Sequence, residues 1–214
     1  MLVGTSEAIR LLNIRSIHNL NNSYKHFRFK QWLAGLIDGD GSFLLSKKGY
    51  ASLEITMDIR DERALTAVKN VYGGSIKLRS GVSALRYRLH NKDLLNLIND
   101  VNGDIRNPIR LIQLNYICVK YNITLNYPSK LTLNNGWFSG FWDADGSIAI
   151  NAGSNWQLSI SASQKTSEIL TPLVELFGGY VYIDIGGNGS FKWYLTNKIS
   201  LIEYFKKYPS RSKN

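Results

Sequence analysis

Along the chain, segments in which every second position is apolar alternate with segments in which apolar positions follow a helical period. In residues 50–59 every second position is apolar, which is typical of a strand with one face toward water. Residues 62–72 return to helical spacing. Residues 74–79 and 84–90 predict two more strands, and residues 92–101 a further helix. A helix is also predicted over 31–40, ending at Gly41, a residue suited to a left-handed cap.

This pattern occurs twice. Residues 32–43 read WLAGLIDGDGSF, and residues 137–148, which lie 105 positions later, read WFSGFWDADGSI. The same offset carries residues 72–74, an aromatic residue followed by Gly-Gly, onto residues 177–179. In the second copy Leu158, Ile160 and Ala162 alternate with polar residues, as in a strand. A constant offset between separate matching segments indicates a duplication.

The duplication predicts an α+β protein of two αββαββα halves, each with an antiparallel sheet. An N-terminal arm would occupy residues 1–27, and the first repeat would occupy 28–122. A polar linker that contains Pro128 would occupy 123–135, and the second repeat would occupy 136–214. Residues 110–122 predict one more helix in the first half. At the offset of 105, Asn214 corresponds to Ile109, so residues 110–122 have no counterpart in the second repeat. We therefore expect the second half to lack this C-terminal helix and to be less covered.

The net charge of the chain indicates which class of molecule it binds. Lys and Arg outnumber Asp and Glu by 26 to 16, which gives a net charge of +10 and predicts a polyanionic partner. No apolar run reaches the ~18 residues of a membrane span, and no long basic amphipathic segment favours a membrane surface, so nucleic acid is the better candidate. The single Cys118 excludes an internal disulfide, and three separated histidines argue against a zinc cluster.

The repeated motif predicts a helix pair that ends in two acids. Gly35 and Gly39, like Gly140 and Ala144, stand four positions apart on one helix face, where small residues let two helices approach closely. Each helix then ends in an acid, Asp40 or Asp145, where the helix dipole disfavours negative charge. Two such acids brought together also repel, and divalent cations between them would explain the arrangement. An all-oxygen site favours Mg²⁺ over zinc.

Two further acids of the motif point elsewhere. At about 100° per residue, Asp38 and Asp143 project roughly 200° away from Asp40 and Asp145. Both acids of one motif therefore cannot enter one metal cluster, and we predict a structural role for Asp38 and Asp143.

The segments LAGLIDGDG at 33–41 and FSGFWDADG at 138–146 resemble the name-giving motif of the LAGLIDADG homing endonucleases. The resemblance covers roughly residues 28–213 and is specific, because two motif copies are each followed by the patterning of that fold. It implies a saddle of two antiparallel sheets that binds duplex DNA, with the helix pair at the junction of the halves. It also implies that Asp40 and Asp145 bind metal together with the backbone carbonyls of Gly39 and Ala144.

The resemblance suggests further catalytic residues. Gln164 fits the position of a polar residue that positions water, whereas its counterpart at the 105 offset is Ile59, which cannot form a hydrogen bond, so the two sites are predicted to be unequal. A basic residue near the metals is expected after the last strand and helix of each half. The candidates are Arg106 or Arg110 in the first half and Arg211 or Lys213 in the second, and a phosphate contact or a solvated charge is the alternative for each.

The polar sheet faces are the predicted DNA-binding surface, because the major groove presents a distinguishable pattern of donors and acceptors. An ordinary wet sheet face would show the same alternation. Five basic residues in the first half against one in the second predict an asymmetric target. The candidates are Ser46, Lys48, Tyr50, Ser52, Glu54, Thr56, Lys77, Arg79, Arg86 and Arg88 in the first half, and Asn151, Asn155, Gln157, Ser159, Ser161, Tyr182, Lys192 and Tyr194 in the second.

The sequence thus predicts a monomeric endonuclease that hydrolyses both strands of a long asymmetric duplex with Mg²⁺. Mn²⁺ is expected to substitute, and Ca²⁺ to support binding without cleavage. An intron RNA maturase on the same scaffold, with the chain's own intron RNA as partner, and a non-catalytic DNA-binding protein are the alternatives. The Asn, Ile, Lys and Tyr content suggests an AT-rich organelle genome and a mitochondrial origin. The basic bias of residues 1–27 fits either a transit peptide or an arm.

Overall fold

The computed structural model describes residues 5–151, 157–187, 189–195 and 197–212, with the side chains of 5–22, 91, 151, 157 and 187 left aside. The first half contains four helices, four strands and a short 3-10 helix at Ile59–Asp61. These elements are α1 (Thr5–Asp40), β1 (Gly41–Leu45), β2 (Ala51–Asp58), α2 (Glu62–Tyr72), β3 (Ser75–Leu78), β4 (Ala84–His90), α3 (Asn91–Val101) and α4 (Pro108–Lys120).

The second half repeats this order up to the helix that corresponds to α3. A 3-10 helix at Ile185–Gly187 lies between its last two strands. Its elements are α5 (Trp137–Asp145), β5 (Gly146–Asn151), β6 (Gln157–Gln164), α6 (Thr171–Phe177), β7 (Tyr180–Asp184), β8 (Ser190–Leu195) and α7 (Ile199–Lys207). The predicted α+β class and the two repeats are confirmed.

Both sheets are antiparallel and have the same strand order, β1-β2-β4-β3 and β5-β6-β8-β7. Their registers show that the 105 offset does not hold throughout. Gly41 pairs with Ile55, whereas Gly146 pairs with Ala162, so β6 is displaced by 107 positions from β2. The hairpin of the second half is two residues longer, and every position of β6 must be compared with β2 at this larger offset.

The described part of the N-terminal segment is continuous with the motif helix. α1 runs without interruption from Thr5 into the motif and ends at Asp40, whereas a helix was predicted only from residue 31. The reason is backbone chemistry, because neither proline nor glycine occurs between Thr5 and Ala34 to end or weaken a helix.

Gly41 serves a different purpose from the predicted left-handed cap. It is the first residue of β1, and it is not among the glycines with positive φ. A Cβ atom at Gly41 would lie 2.7 Å from the backbone Cα and O of Ile37. Glycine is needed because the strand turns back against the last turn of the helix.

The two motif helices touch backbone to backbone. A Cβ atom at Gly35 would lie 1.9 Å from the carbonyl oxygen of Trp137, and one at Gly140 would lie 1.7 Å from that of Trp32. One turn further on, a Cβ atom at Gly39 would lie 2.3 Å from the Cβ of Ala144. The small residues singled out in the sequence therefore line the α1–α5 contact, which joins the halves into one hydrophobic core.

The halves differ in how their first strands are covered. α4 packs on β1 and buries Phe43, whose backbone N–H donates to Oε1 of Gln113 in α4. Among the described residues the second half has no helix equivalent to α4. Ile148, which lies 105 positions after Phe43, is 56% exposed, whereas Phe43 is 2% exposed. Among the described residues, β5 is therefore less covered than β1 at this position.

The segment between the repeats, 121–136, contains neither a helix nor a strand. It follows the surface of the first half, where Asn102 donates to the carbonyl of Thr124 and accepts from the backbone N–H of Asn126, and Leu131 is buried. None of the described helices has both the length and the apolar content that crossing a membrane requires.

Replacing Gly140 with Ala tests the backbone contact. We expect a loss of stability above the ~1–3 kcal/mol of ordinary overpacking, because the new methyl group meets a carbonyl that cannot move aside. Gly186→Ala is the control, since its Cβ would meet nothing closer than 3.6 Å, and it should stay within about 0.5 kcal/mol of the parent. Urea unfolding measures both, and equal effects would contradict this packing.

Phe43→Ala and Ile148→Ala compare equivalent positions in the two halves. The first should cost about 3–5 kcal/mol because it empties a site covered by α4. The second should change stability by no more than about 0.5 kcal/mol because its side chain already meets water. Losses of similar size in urea unfolding would mean that Ile148 is covered in solution.

Candidate active site

Asp40 and Asp145 are the last residues of α1 and α5, and the contact between these helices brings them together. A Cβ atom at Gly39 would lie 2.5 Å from Oδ2 of Asp145. Burial, followed by repulsion from Asp145 and Asp61, raises the pKa of Asp40 to about 8. Burial also raises the pKa of Asp145 to about 6, with a hydrogen bond from Gln164 and the charge of Arg110 opposing the rise.

The donor set at this junction fits a hard divalent cation. It offers two carboxylates from Asp40 and Asp145 and the backbone carbonyls next to them, at Gly39 and Ala144, and all of these donors are oxygen atoms. Among the described side chains no group of three or more His, Cys, Asp and Glu is arranged to hold a metal ion. Two buried acids that repel each other are stabilised when a cation lies between them.

Gln164 lies beside one of the two acids. Its Nε2 donates to Oδ2 of Asp145 over 2.6 Å. The prediction that Ile59 is its counterpart is wrong, because at the offset of 107 that the sheet registers establish, Gln164 corresponds to Met57. Met57 is buried and Ile59 is 46% exposed in the 3-10 helix after β2. The first half therefore has an apolar side chain where the second has an amide.

Arg110 is the basic residue that reaches the acids. Its Nη2 approaches the carbonyl oxygen of Gly39 at 3.5 Å, and its charge acts on both Asp40 and Asp145. Burial lowers the pKa of Arg110. Its position on the first turns of α4 depends on Asn107, whose side chain caps that helix by accepting from the backbone N–H of Ile109. Lys213, the candidate in the second half, lies outside the described residues.

Arg106 and Arg211 belong to a different arrangement. They stand 105 positions apart, and each lies over the tryptophan of the opposite half, Arg106 at 5.6 Å from the Trp137 ring and Arg211 at 5.0 Å from the Trp32 ring. Their backbone N–H groups donate to Asp38 and Asp143, respectively. Both arginines therefore hold the scaffold, and of the candidates Arg106 and Arg110 only Arg110 lies at Asp40 and Asp145.

Asp38 and Asp143 form two crossed braces between the halves. Nε1 of Trp32 donates to Asp143 over 2.8 Å, and Nε1 of Trp137 donates to Asp38 over 2.7 Å. Asp38 also accepts from the backbone N–H of Asn107, and Asp143 from Ser210 and Ser212. Burial raises the pKa of Asp38 to about 7, and its N–H donors oppose the rise. Both acids are buried, and their hydrogen bonds hold the scaffold.

Asp61 is an acid near the site that the sequence reading missed. It is 3% exposed, it precedes α2, and its charge contributes to the raised pKa of Asp40. Its position in the segment IRDER suggests an ordinary helix cap, so only the tertiary structure reveals that it is near Asp40.

The polar face of the first sheet concentrates positive charge around one carboxylate. Glu54 lies opposite Arg88 in the register, and its carboxylate pairs with Nε of Arg88 at 2.7 Å and with Nε of Arg86 at 3.6 Å. Lys77 is paired with Arg86 across β3 and β4 and is exposed. Ser52, Thr56 and Arg79 lie on or beside these strands, whereas Ser46, Lys48 and Tyr50 lie in the β1–β2 turn.

The second sheet presents tyrosines instead of cations. Tyr182, Tyr194 and the unpredicted Tyr180 form a cluster of rings with centroids 5.6–5.8 Å apart, next to Lys192. Ser159 and Ser161, predicted to contact DNA, are buried because short side chains lie in the floor of the sheet between larger neighbours, so they offer little contact area. Asn151 and Gln157 are paired at the end of the β5–β6 hairpin, and Asn155 lies outside the described residues.

Comparisons with known proteins agree with this architecture. The sequence matches the family described as LAGLIDADG endonuclease over residues 33–102 and 138–214. It is 44% identical to the intron-encoded RNA maturase bI4 of Saccharomyces cerevisiae, over 99% of this chain and 37% of that protein. It is 39% identical to the probable intron-encoded endonuclease aI2 of Debaryomyces hansenii, over 86% and 31%. The chain thus spans about a third of these relatives.

A third relative is matched over most of its length. The intron-encoded DNA endonuclease ai2b of Dictyostelium discoideum is 40% identical, over 85% of this chain and 73% of that protein. Among solved structures, the LAGLIDADG meganuclease I-AabMI bound to uncleaved DNA superposes with a TM-score of 0.64 at 19% identity, covering 86% of this chain and 85% of that one. The similarity to this structure establishes the fold.

The raised pKa values of Asp40 and Asp145 predict a pH-dependent loss of stability in metal-free protein. A carboxylate whose pKa is raised by folding favours the folded state at low pH, and this advantage is lost as pH rises through the folded pKa. Asp40→Asn should therefore be more stable than the parent at pH 8.5 by more than about 1 kcal/mol, since one pKa unit is worth about 1.4 kcal/mol, and this gain should shrink toward pH 4. Urea unfolding in EDTA measures it, and a pH-independent difference would contradict the burial of Asp40.

Proposed function

The chain belongs to the LAGLIDADG endonuclease family, and we propose that it hydrolyses both strands of a long asymmetric DNA duplex with a divalent metal. The observation that carries this proposal is the pair of buried acids, Asp40 and Asp145, one from each half, at the junction of the two sheets. Structural stability alone gives no reason to place two acids at adjoining helix C-termini. A site that binds a metal ion, which in turn binds a phosphate, gives such a reason.

Asp40 and Asp145, together with the carbonyls of Gly39 and Ala144, would hold the metal, and oxygen donors favour Mg²⁺, with Mn²⁺ as a substitute and Ca²⁺ supporting binding only. When bound, such a metal neutralises phosphate charge and lowers the pKa of a bound water. Because the pKa of Asp40 is about 8, metal binding near pH 7 would displace a proton from this carboxyl group.

The side chains around Asp40 and Asp145 would act unequally on the two DNA strands. Gln164 holds the carboxylate of Asp145 with one amide hydrogen and has further hydrogen-bonding capacity for a water. The first half has Met57 at the matching position and therefore cannot orient a water there. Arg110 supplies positive charge close to both acids. We expect the two strands to be cut at different rates.

Asymmetry of the sheet faces supports an asymmetric target. The first sheet presents Lys77, Arg79, Arg86 and Arg88, whereas the second presents tyrosines and Lys192. Arginine reads guanine and binds phosphate, while tyrosine offers one hydroxyl and an apolar ring, so the two half-sites would differ in base preference. Glu54 holds Arg86 and Arg88 in one orientation and would limit their contact with arbitrary phosphates.

A monomer suffices for this activity, because both motif helices and both sheets belong to one chain. Relatives named as intron-encoded proteins, together with the Asn, Ile, Lys and Tyr content, support an origin in an organelle intron, and we propose a mitochondrial one.

Asp40→Asn and Asp145→Asn test the proposed nuclease. Selection from a randomised duplex library in Ca²⁺ would first supply the target. In Mg²⁺ we expect each variant to lose at least ~10² in the rate of double-strand cutting, because a metal ligand is lost, while DNA affinity without metal holds or increases, because a negative charge is removed. Asp93→Asn, on an exposed acid of α3, is the control.

The outcomes of this experiment separate the alternatives. A variant of Asp40 or Asp145 that binds and cuts at the parental rate would refute their assignment. A parent that binds the selected duplex but cuts neither strand in Mg²⁺ or Mn²⁺ would refute the nuclease and favour a binding protein. If one variant alone still nicks the duplex, the cut strand would show which acid is needed for cutting each DNA strand.

Arg86→Ala and Arg88→Ala test the first sheet. Each should weaken binding of the selected duplex by about 1–3 kcal/mol if it reads guanine, and should make the salt dependence shallower by about one unit if it contacts phosphate. Arg60→Ala is the control, because this arginine is exposed and pairs with Asp58. Unchanged affinity and salt slope in both sheet variants would exclude this face.

A further inference from the structure

A positively charged cleft lies at the end of the motif helices opposite Asp40 and Asp145. Lys25, Arg28 and Trp32 of α1 form one wall, and Lys207, Tyr208 and Arg211 form the other. The cleft has a volume of about 250 Å³ and opens to solvent. Arg28 precedes Asp40 by twelve residues, which places them about 18 Å apart along the helix at 1.5 Å per residue. The cleft therefore does not belong to the active site.

Lys25, Arg28 and Lys207 form no ion pair with a carboxylate among the described side chains, whereas Arg211 interacts with the buried carboxylate of Asp143. The ion pairs nearest in sequence join other cations to these acids, namely His26 and Lys30 with Asp100 and Lys206 with Glu203. Arg28 donates from Nη1 to the carbonyl of Lys207, but its Nε has no acceptor among the described residues. Lys25 and Lys207 are exposed. Three positive charges gathered without carboxylate partners make this cleft attractive to an anion.

Aromatic rings hold these cations in place and leave a stacking surface free. The Arg28 guanidinium lies 4.4 Å from the centre of the Tyr24 ring and 4.7 Å from that of the Tyr208 ring. Arg211 lies over the rings of Phe29 and Trp32. Tyr24 remains 50% exposed. An exposed aromatic ring beside cations is the combination that binds unpaired nucleotides, whose bases stack while their phosphates contact the charges.

We propose that this cleft binds a single-stranded nucleic acid segment, with a phosphate between Lys25, Arg28 and Lys207 and a base on Tyr24. A duplex fits less well, because its bases are stacked internally and cannot reach the ring. The site is independent of the proposed nuclease, since it shares no residue with the acids or with the sheet faces. RNA and single-stranded DNA share the recognised chemistry, and the experiment distinguishes them.

Paired charge variants test the phosphate contacts. The probe is a fluorescein-labelled 12-nucleotide single strand of mixed sequence, prepared as RNA and as DNA, followed by fluorescence anisotropy at several salt concentrations. Lys25→Gln with Lys207→Gln should weaken binding about tenfold and lower the salt slope by about 1.4, at about 0.7 per phosphate contact on single strands. Lys69→Gln with Lys92→Gln, on exposed residues of α2 and α3, changes net charge equally and should have a smaller effect.

Stacking is tested by Tyr24→Ala against Phe27→Ala. Both rings are about half exposed on α1, but only Tyr24 lies at the cleft. Tyr24→Ala should weaken single-strand binding about tenfold, whereas Phe27→Ala should leave it unchanged. Equal behaviour of the two variants, or equal behaviour of the two lysine pairs, would overturn the site, as would a parent that does not bind the probe.

Competition separates the cleft from the sheets. A saturating unlabelled 24-base-pair duplex in Ca²⁺ should leave the probe bound, and the Lys25 and Lys207 variant should bind that duplex within twofold of the parent. Complete displacement of the probe would overturn a separate site. A preference of tenfold or more for the RNA probe would identify RNA as the ligand through its 2′-hydroxyl groups, and equal affinity would show recognition of single strands in general.

Discussion

Direct contact between the backbones of α1 and α5 is the constraint on which the rest of the molecule depends. At Gly35 and Gly140 no side chain separates the helices, because an added Cβ would lie within 2 Å of a carbonyl oxygen of the opposite helix. This contact sets the distance between the halves. It also brings Asp40 and Asp145 to one place, since each acid ends its helix. A larger residue in either helix would therefore disturb stability and the candidate site together.

Acids of the two motifs divide into a structural pair and a chemical pair. Asp38 and Asp143 are buried too, but each accepts several hydrogen bonds, including one from the tryptophan of the other half. These donors offset the cost of burial and lock the halves in register. Asp40 and Asp145 have fewer donors, and their pKa values rise to about 8 and 6. The unfavourable negative charge is thus concentrated where a bound cation would neutralise it.

Duplication produced two similar scaffolds whose surfaces have diverged. The second hairpin is two residues longer, so Gln164 stands where the first half has Met57. α4 covers β1 and carries Arg110 to the acids, while the matching strand β5 leaves Ile148 exposed. One sheet presents arginines and the other tyrosines. Each difference lies where side chains meet water or a ligand, whereas the helix contact and the crossed braces keep their two-fold arrangement.

Local chemistry was sufficient for much of this protein. Periodicity predicted α2, β2, β3 and β4 to within a residue or two, because these features depend on neighbours in sequence. The repeat with its small residues predicted the helix pair. Four features were decided only by the tertiary structure. They are the length of α1, the strand registers that make Met57 the counterpart of Gln164, the closeness of Asp61 to Asp40, and the choice of Arg110 over Arg106. Each of these depends on contacts between residues far apart in the chain, which no local pattern records.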